Sequence, residues 1–318
     1  MPSPSPTATG GTRAARPPAR RWTGALLIAA AAVCWGSSAT LGRAVFTGHL
    51  LRSGPAIDPL ILAQTRVTIS ALLLLPCLLA LRGKGGLRLP AREAIGAMTL
   101  GALGIAVSNY GYYLAIQKTN VATAIVLQYT APVWVLGYMV ARGRQRATLT
   151  RLLGVAAAFC GILLAIGAAA GRLRLNPLGI AAALAAAFSF AYYNVDAADR
   201  LRRIDATVLT TWAIIGASLF WALINPPWKV AAAHYTGADW IFLCVFALLS
   251  MLAPTLLYFS GLRWLDATSA IVTSCLEPVS GTLLATLFLG EPLDWTRALG
   301  IALVLTAIVL IQRPGPVQ

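Results

Sequence analysis

The chain has 318 residues, 58% hydrophobic and 11% charged, with a mean hydropathy of +0.75 and a formal net charge of +15. A soluble domain carries about 25% charged residues, so a water-soluble globule is excluded and lipid must be the main solvent. A transmembrane β-barrel is excluded as well, because its strands alternate with a period of two and the apolar runs here do not.

Residues 1–21, MPSPSPTATGGTRAARPPARR, are rich in Pro, Ser, Thr, Gly and Arg. Such a segment has too little apolar surface to fold and is expected to be a disordered, basic cytoplasmic tail. The apolar run after it is long enough to span, and Trp35-Gly36-Ser37-Ser38 makes a poor cleavage site. The run therefore reads as an uncleaved first helix, not a signal peptide. Spanning a bilayer takes about 20 apolar residues. Runs near that length fall at 23–42, 59–81, 93–116, 121–141, 152–170, 177–197, 207–225, 239–262, 268–289 and 298–312. These predict an all-α integral membrane protein with ten transmembrane helices, the last of them the shortest.

Lys and Arg in short loops mark the cytoplasmic side. With the N-terminus inside, the cytoplasmic segments hold seventeen of the 25 basic residues, among them Arg82, Arg142, Arg144, Arg146, Arg151, Arg200, Arg202 and Arg203. The opposite side holds seven, and Arg66 lies within the second helix. Both termini are thus expected in the cytoplasm, including the short tail 313–318. The positive charge reflects topology in a plasma (inner) membrane and not a nucleic-acid partner. Five cysteines (34, 77, 160, 244, 275) fall inside apolar spans without a CxxC pair and read as small core residues. His49 and His234 lie in separate loops, so neither a metal nor a cofactor site is indicated.

The chain echoes itself. A shift of 146 positions aligns Tyr112 with Tyr258, Ala124-Ile125-Val126 with Ala270-Ile271-Val272, and Pro132-Val133 with Pro278-Val279. It also aligns Thr150-Arg151 with Thr296-Arg297 and Gly154 with Gly300, without a gap. A fixed period across several elements indicates duplication, here of residues 22–170 as 177–312. Five helices per half is an odd number, so the halves are expected to cross the membrane in opposite senses. The charges agree: RGRQRATLTR follows the fourth helix and is basic, whereas its counterpart GEPLDWTR carries two acids.

Two five-helix halves, a Pro-Val in each fourth helix, and LEPV followed by GEPLDWTRALGIALVLTAIVLI together resemble the drug/metabolite transporter superfamily, in its ten-helix EamA-like branch. The resemblance covers roughly residues 22 to 312. The first half departs from the family's pattern, with GRQRAT where an acidic Gly-Glu turn is common. The resemblance implies a permease with a central cavity between inverted repeats, and export of an amino acid or related metabolite. It also implies that helices 1, 3, 4, 6, 8 and 9 line that cavity. In this chain they supply Trp35, Ser37, Ser38, Asn109, Tyr112, Tyr113, Gln128, Tyr192, Tyr193, Asn194, Tyr258 and Ser274. Tyr113 and Tyr192 also suit an interfacial aromatic belt, and Asn109, Gln128 and Asn194 also suit interhelical glue.

A helix-interior proline frees the carbonyl four residues earlier. Pro132 and Pro278 are therefore expected to kink their helices and to free the carbonyls of Gln128 and Ser274, either as cavity lining or as a packing bend. Glu277 lies roughly 14 Å from the inner helix end at 1.5 Å per residue. An intramembrane carboxylate is a functional-site hypothesis, so Glu277 is a candidate for proton coupling. The alternatives are a protonated Glu277 bonded to a neighbouring backbone and a structural ion pair with Arg66. Arg66 is otherwise expected to snorkel outward or to meet an anionic substrate. Gly154, Gly161 and Gly300 mark helices 5 and 10 as closely packed scaffold. No GxxxxGK[ST] motif is present, which leaves a gradient as the energy source of a secondary transporter. Multidrug efflux is one alternative. An intramembrane enzyme acting on a lipid-linked substrate is another, and its best acid pair would be Asp196 and Asp199.

Overall fold

The structure, a computed structural model, describes residues 18–46, 59–167, 176–290 and 292–312. Most of the tail 1–21, the tail 313–318, His49 and Glu291 of the Gly-Glu-Pro-Leu turn lie outside the described residues. All regular structure among them is helical. Helix α1 (Pro18–Phe46) starts inside the stretch expected to be a tail; the fixed φ of proline suits a first helical turn. Arg20 lies over the Trp264 ring at 5.1 Å.

Helix α2 (Pro59–Arg82) is followed by α3 (Ala91–Thr99), which passes through a π-helical stretch, Leu100–Ala106, into α4 (Val107–Lys118). Next come α5 (Val121–Gln128) and α6 (Ala131–Ala141), two pieces of one interrupted helix, and then α7 (Leu149–Ala165). The second half holds α8 (Pro177–Arg200), α9 (Ala206–Ile224), a short α10 (Pro227–Ala231) and α11 (Gly237–Ala247). Helix α11 runs through a second π stretch, Leu248–Leu252, into α12 (Ala253–Leu262). Helices α13 (Ala267–Ser274) and α14 (Leu276–Leu289) form a second interrupted helix, and α15 (Trp295–Gln312) closes the chain. Among the described residues eight helices, counted through their interruptions, are long and apolar enough to cross a bilayer. Helix α7 is apolar but shorter, at 17 residues.

The 146-residue period reappears in element bounds. The starts of α3, α4, α5 and α7 at 91, 107, 121 and 149 move onto the starts of α11, α12, α13 and α15 at 237, 253, 267 and 295. The caps follow suit. Asn120 Oδ1 accepts the Thr123 N–H at 2.8 Å, and Asp266 Oδ1 accepts the Ser269 N–H at 3.0 Å. Thr148 caps Arg151 N–H, and Asp294 caps Arg297 N–H. Such caps satisfy N–H groups that a helix start leaves unpaired. The second π stretch falls within the shifted range of the first.

Large apolar side chains face outward at the lipid-exposed surface, including Leu81, Leu223, Leu287 and Phe288. Three cysteines expected in the core, Cys77, Cys160 and Cys244, are exposed there too, and only Cys275 is fully buried. In lipid a small apolar thiol loses nothing by facing the solvent, so burial does not sort cysteines as it does in water. The interior is closed by small residues and short polar bonds. Helices α7 and α15 pack along their length, where a Cβ at Gly161 would lie 2.8 Å from the Gly300 carbonyl oxygen. Gln64 and Asn225 tie α2 to α9 through a buried 2.6 Å hydrogen bond.

Candidate functional site

The site gathers where α1 crosses the break between α13 and α14. A Cβ at Gly36 would stand 2.2 Å from Ser280 Oγ and 2.8 Å from the Glu277 carbonyl oxygen, so only glycine fits. Ser280 Oγ donates to the Ala32 carbonyl at 3.2 Å, and Thr40 Oγ1 to the Gly281 carbonyl at 3.4 Å. Helix α1 therefore clamps the first turns of α14. Glu277 occupies the first turn of that half-helix, where the positive end of the helix dipole favours a carboxylate. It is only partly buried. Its side-chain partner is the Tyr129 phenol, from the break between α5 and α6 in the other half.

Pro132 and Pro278 both sit buried in the first turn of the second segment of a broken helix. The chain turns at Tyr129-Thr130 and at Cys275, just before each proline. At these places proline begins a helix, which it tolerates well, instead of bending a continuous one. Gln128 is half-buried on the last turn of α5, and none of the described hydrogen bonds uses its amide.

Trp35, Tyr193, Asn194, Tyr258 and Ser274 form one closed knot. The Tyr258 hydroxyl donates to Asn194 Oδ1 and stands beside the Ser274 hydroxyl. Asn194 Nδ2 donates to the Phe190 carbonyl at 2.8 Å. The Tyr258 ring lies 5.5 Å from Trp35 and 5.6 Å from Tyr193. Asn194, Tyr258 and Ser274 are buried to within 1%, so in this state they join α8, α12 and α13 as interhelical glue. Ser38 is buried and spends its hydroxyl on the Trp35 carbonyl at 2.8 Å.

A second cluster lies on α2 and α4. Arg66 is 8% exposed, and its Nη2 donates to Asn109 Oδ1. Its guanidinium carbon lies 5.9 Å from the centre of the Tyr113 ring, which in turn lies 5.8 Å from the Tyr112 ring. Arg66 therefore turns into the bundle and does not snorkel, and Tyr113 is its cation–π partner instead of a belt residue. No ion pair within 4 Å joins Arg66 to Glu277 among the described residues, although the two are within electrostatic reach. Tyr129 is the contact missed at the sequence level. Its adjacency to Gln128, just ahead of Pro132, was the available signal.

The arginine-rich end is locked by bonds between the halves. Arg144 pairs with Asp199 at 2.5 Å, Arg82 with Asp205 at 3.0 Å, and Glu93 with Arg200 and Arg203 at 3.3 and 3.2 Å. Gln145 donates to Asp266 at 2.8 Å and accepts from Thr268 at 2.7 Å. The Asp199 hydrogen bond raises the pKa of Arg144. Asp196 is held by Arg200 at 2.6 Å, and Asp199 also by Arg202 at 3.1 Å. The acid pair on which an enzyme would depend is thus engaged in salt bridges.

Residues 22–167 and again residues 177–313 match the EamA-like transporter family. The chain belongs to that family. It is a multi-pass membrane protein of the drug/metabolite transporter superfamily. Among EamA-like relatives, the chain is 24% identical over 224 residues to the "uncharacterized inner membrane transporter YicL" of Salmonella typhimurium, covering 69% of this chain and 73% of that one. It is 27% identical over 212 residues to the "uncharacterized transporter YwfM" of Bacillus subtilis, covering 63% and 67%. One solved crystal structure superposes on it with a TM-score of 0.72 at 19% identity, over 91% of this chain and 97% of the other. That likeness shows a shared fold.

Proposed function

We propose that this EamA-like protein is a secondary transporter that exports small metabolites such as amino acids, driven by a proton gradient. In this proposal residues 22–170 and 177–312 form two five-helix repeats of opposite orientation, ten spans in all, with both termini cytoplasmic. Alternating access then moves one half against the other around the α13–α14 break. The observation that carries the proposal is the meeting of Glu277, on the N-terminal turn of one half-helix, with Tyr129 at the matching break of the other half. A proton held at Glu277 would report the position of one half to the other. Trp35, Tyr112, Gln128 and Asn109 are half-buried and are the proposed solute lining. The buried Tyr193–Asn194–Tyr258–Ser274 knot would open as the arginine-rich end unlocks.

The test is topological first. In a background lacking the five native cysteines, single cysteines at positions 146 and 292 are labelled from each side of the membrane. Position 146 is expected to be cytoplasmic and position 292 periplasmic. Labelling of both from one side removes the inverted arrangement and the alternating-access mechanism with it. Export itself is then checked as pH-driven efflux of amino acids from proteoliposomes.

A further inference from the structure

We propose that Arg66 anchors the carboxylate of the transported solute, so that the site selects organic acids and amino acids over amines and neutral compounds. This assignment rests on the transporter proposed above. A guanidinium has five N–H donors and no acceptor. The described hydrogen bonds use one of them, from Nη2 to Asn109. The Nε atom is buried with no partner at all. No carboxylate lies within 4 Å of Arg66 among the described residues, whereas the half-buried Arg200 at the arginine-rich end is paired with Glu93 and Asp196.

A charge inside a membrane protein faces the bundle interior or an aqueous path, and it finds a partner there. Asn109 is a neutral partner. Its Nδ2 is fixed to the Ile105 carbonyl at 2.7 Å, which turns Oδ1 toward Arg66. The bond therefore aims the guanidinium without neutralising it. Tyr113 covers one face of the ion at 5.9 Å, and the Nε edge is buried with its donor unspent, so a ligand would reach it as the bundle opens. The free edge of a guanidinium is a planar fork that matches a carboxylate bidentately. One unpaired cation fits a monoanion better than a phosphate dianion. Glu277 lies within electrostatic reach of Arg66, so the ammonium of an amino acid would find its counter-charge there while its carboxylate stays on Arg66.

The test uses the whole protein in nanodiscs of phosphatidylethanolamine and phosphatidylglycerol. Melting temperature is followed against matched pairs: L-leucine and L-leucinamide, L-phenylalanine and L-phenylalaninamide, butyrate and butyramide. One or more acids are expected to stabilise the protein where the paired amide does not. Arg66→Gln is expected to abolish that shift, and Arg66→Lys, which loses the fork, to weaken it about tenfold in ligand concentration. Should Arg66→Gln fail to fold, the wild-type protein decides: phenylglyoxal should modify Arg66, read on its own peptide by mass spectrometry, and the stabilising acid should slow that reaction. Amides that stabilise as well as acids, no stabilising acid in the panel, or Arg66 unprotected by a bound acid would each overturn the anchor. Transport failing while the anchor holds would look different: an acid bound through Arg66 that never exchanges in proteoliposomes refutes the carrier and leaves the binding site.

Discussion

The two interrupted helices, α5–α6 and α13–α14, begin at matching positions, carry matching caps, and resume with Pro-Val. Their surroundings differ. After the first break, Val133, Trp134 and Tyr138 are 47, 41 and 43% exposed on the outer face. After the second, Val279 and Ser280 are 3 and 9% exposed, Val279 in a buried cluster with residues of α7 and α15 and Ser280 beneath α1. The shift of 146 sets the buried Ala131 opposite Glu277. The fold thus uses the break twice and the charge once. A broken helix supplies the dipole and the turn, and the asymmetry supplies the chemistry.

The largest way to break that comparison is Glu277→Gln, which keeps the shape of the protonated acid and removes its ionisation. Because no ion pair to Arg66 is lost among the described contacts, the variant is expected to fold and melt near wild type. It is expected to lose pH-driven accumulation in proteoliposomes, by about tenfold or more if proton transfer is the coupling step. Counterflow with solute on both sides should persist. Normal pH-driven accumulation by a folded variant would end the coupling role.

Next in size is the clamp. Gly36→Ala places a Cβ within 2.8 Å of two backbone atoms of α14, and overpacking of that kind costs about 1–3 kcal/mol. Gly137→Ala on α6 meets nothing within 4 Å, and replacing a helix-interior glycine is worth up to about 1 kcal/mol in the other direction. Detergent melting curves should therefore move apart, down for Gly36→Ala and level or up for Gly137→Ala. Equal shifts would mean that α14 is not held more tightly than α6.

Much of the fold was legible in the sequence, and for a plain reason. Lipid demands long apolar runs, and among the described residues eight helices are long and apolar enough to cross a bilayer, where the sequence placed long apolar runs. The shift of 146 was readable because Tyr, Pro and Gly persisted at matched sites. The π stretches were not, since Leu100–Ala106 and Leu248–Leu252 look like any apolar helix. The breaks were read as proline kinks, but the turn comes before the proline, at Tyr129-Thr130 and Cys275, where no residue type announces it. Site chemistry was half legible. Glu277 and Arg66 stand out as charges in an apolar run, whereas their partners Tyr129, Asn109 and Tyr113 are set by helix rotation, which spacing alone does not fix.

The prolines should give a smaller effect. Both stand in a first helical turn, where the missing N–H is unpaired anyway, so Pro132→Ala and Pro278→Ala should change stability by less than about 1 kcal/mol. Transport should be more sensitive at Pro278, beside Glu277, than at Pro132, and initial rates in proteoliposomes compare them. Loss of folded protein in both variants would make the breaks a packing requirement only.

The smallest effect belongs to the arginine-rich end, which differs from the opposite end as the two breaks differ from each other. Asp239 and Asp294 cap their own helices, whereas Asp205 caps α9 and also bridges the halves through Arg82 at 3.0 Å, with Arg263 at 3.5 Å. Partial burial works to raise its pKa, but the Arg82 and Thr207 hydrogen bonds outweigh it and hold the carboxyl below its ordinary value. A depressed carboxyl contributes stability that is fully present above its unfolded-state pKa and lost as pH falls through the folded-state one. The window is therefore acidic, below about pH 4. Side-chain exposures of 43 and 39% leave the pair screened, so at most about 1 kcal/mol is at stake. Asp205→Asn keeps the cap and cannot ionise, so its melting temperature should fall less than that of wild type between pH 5 and pH 3, about the range over which a carboxyl titrates. The gap should shrink in high salt. Parallel pH profiles for the two proteins would place the acid sensitivity elsewhere and leave Asp205 as a helix cap alone.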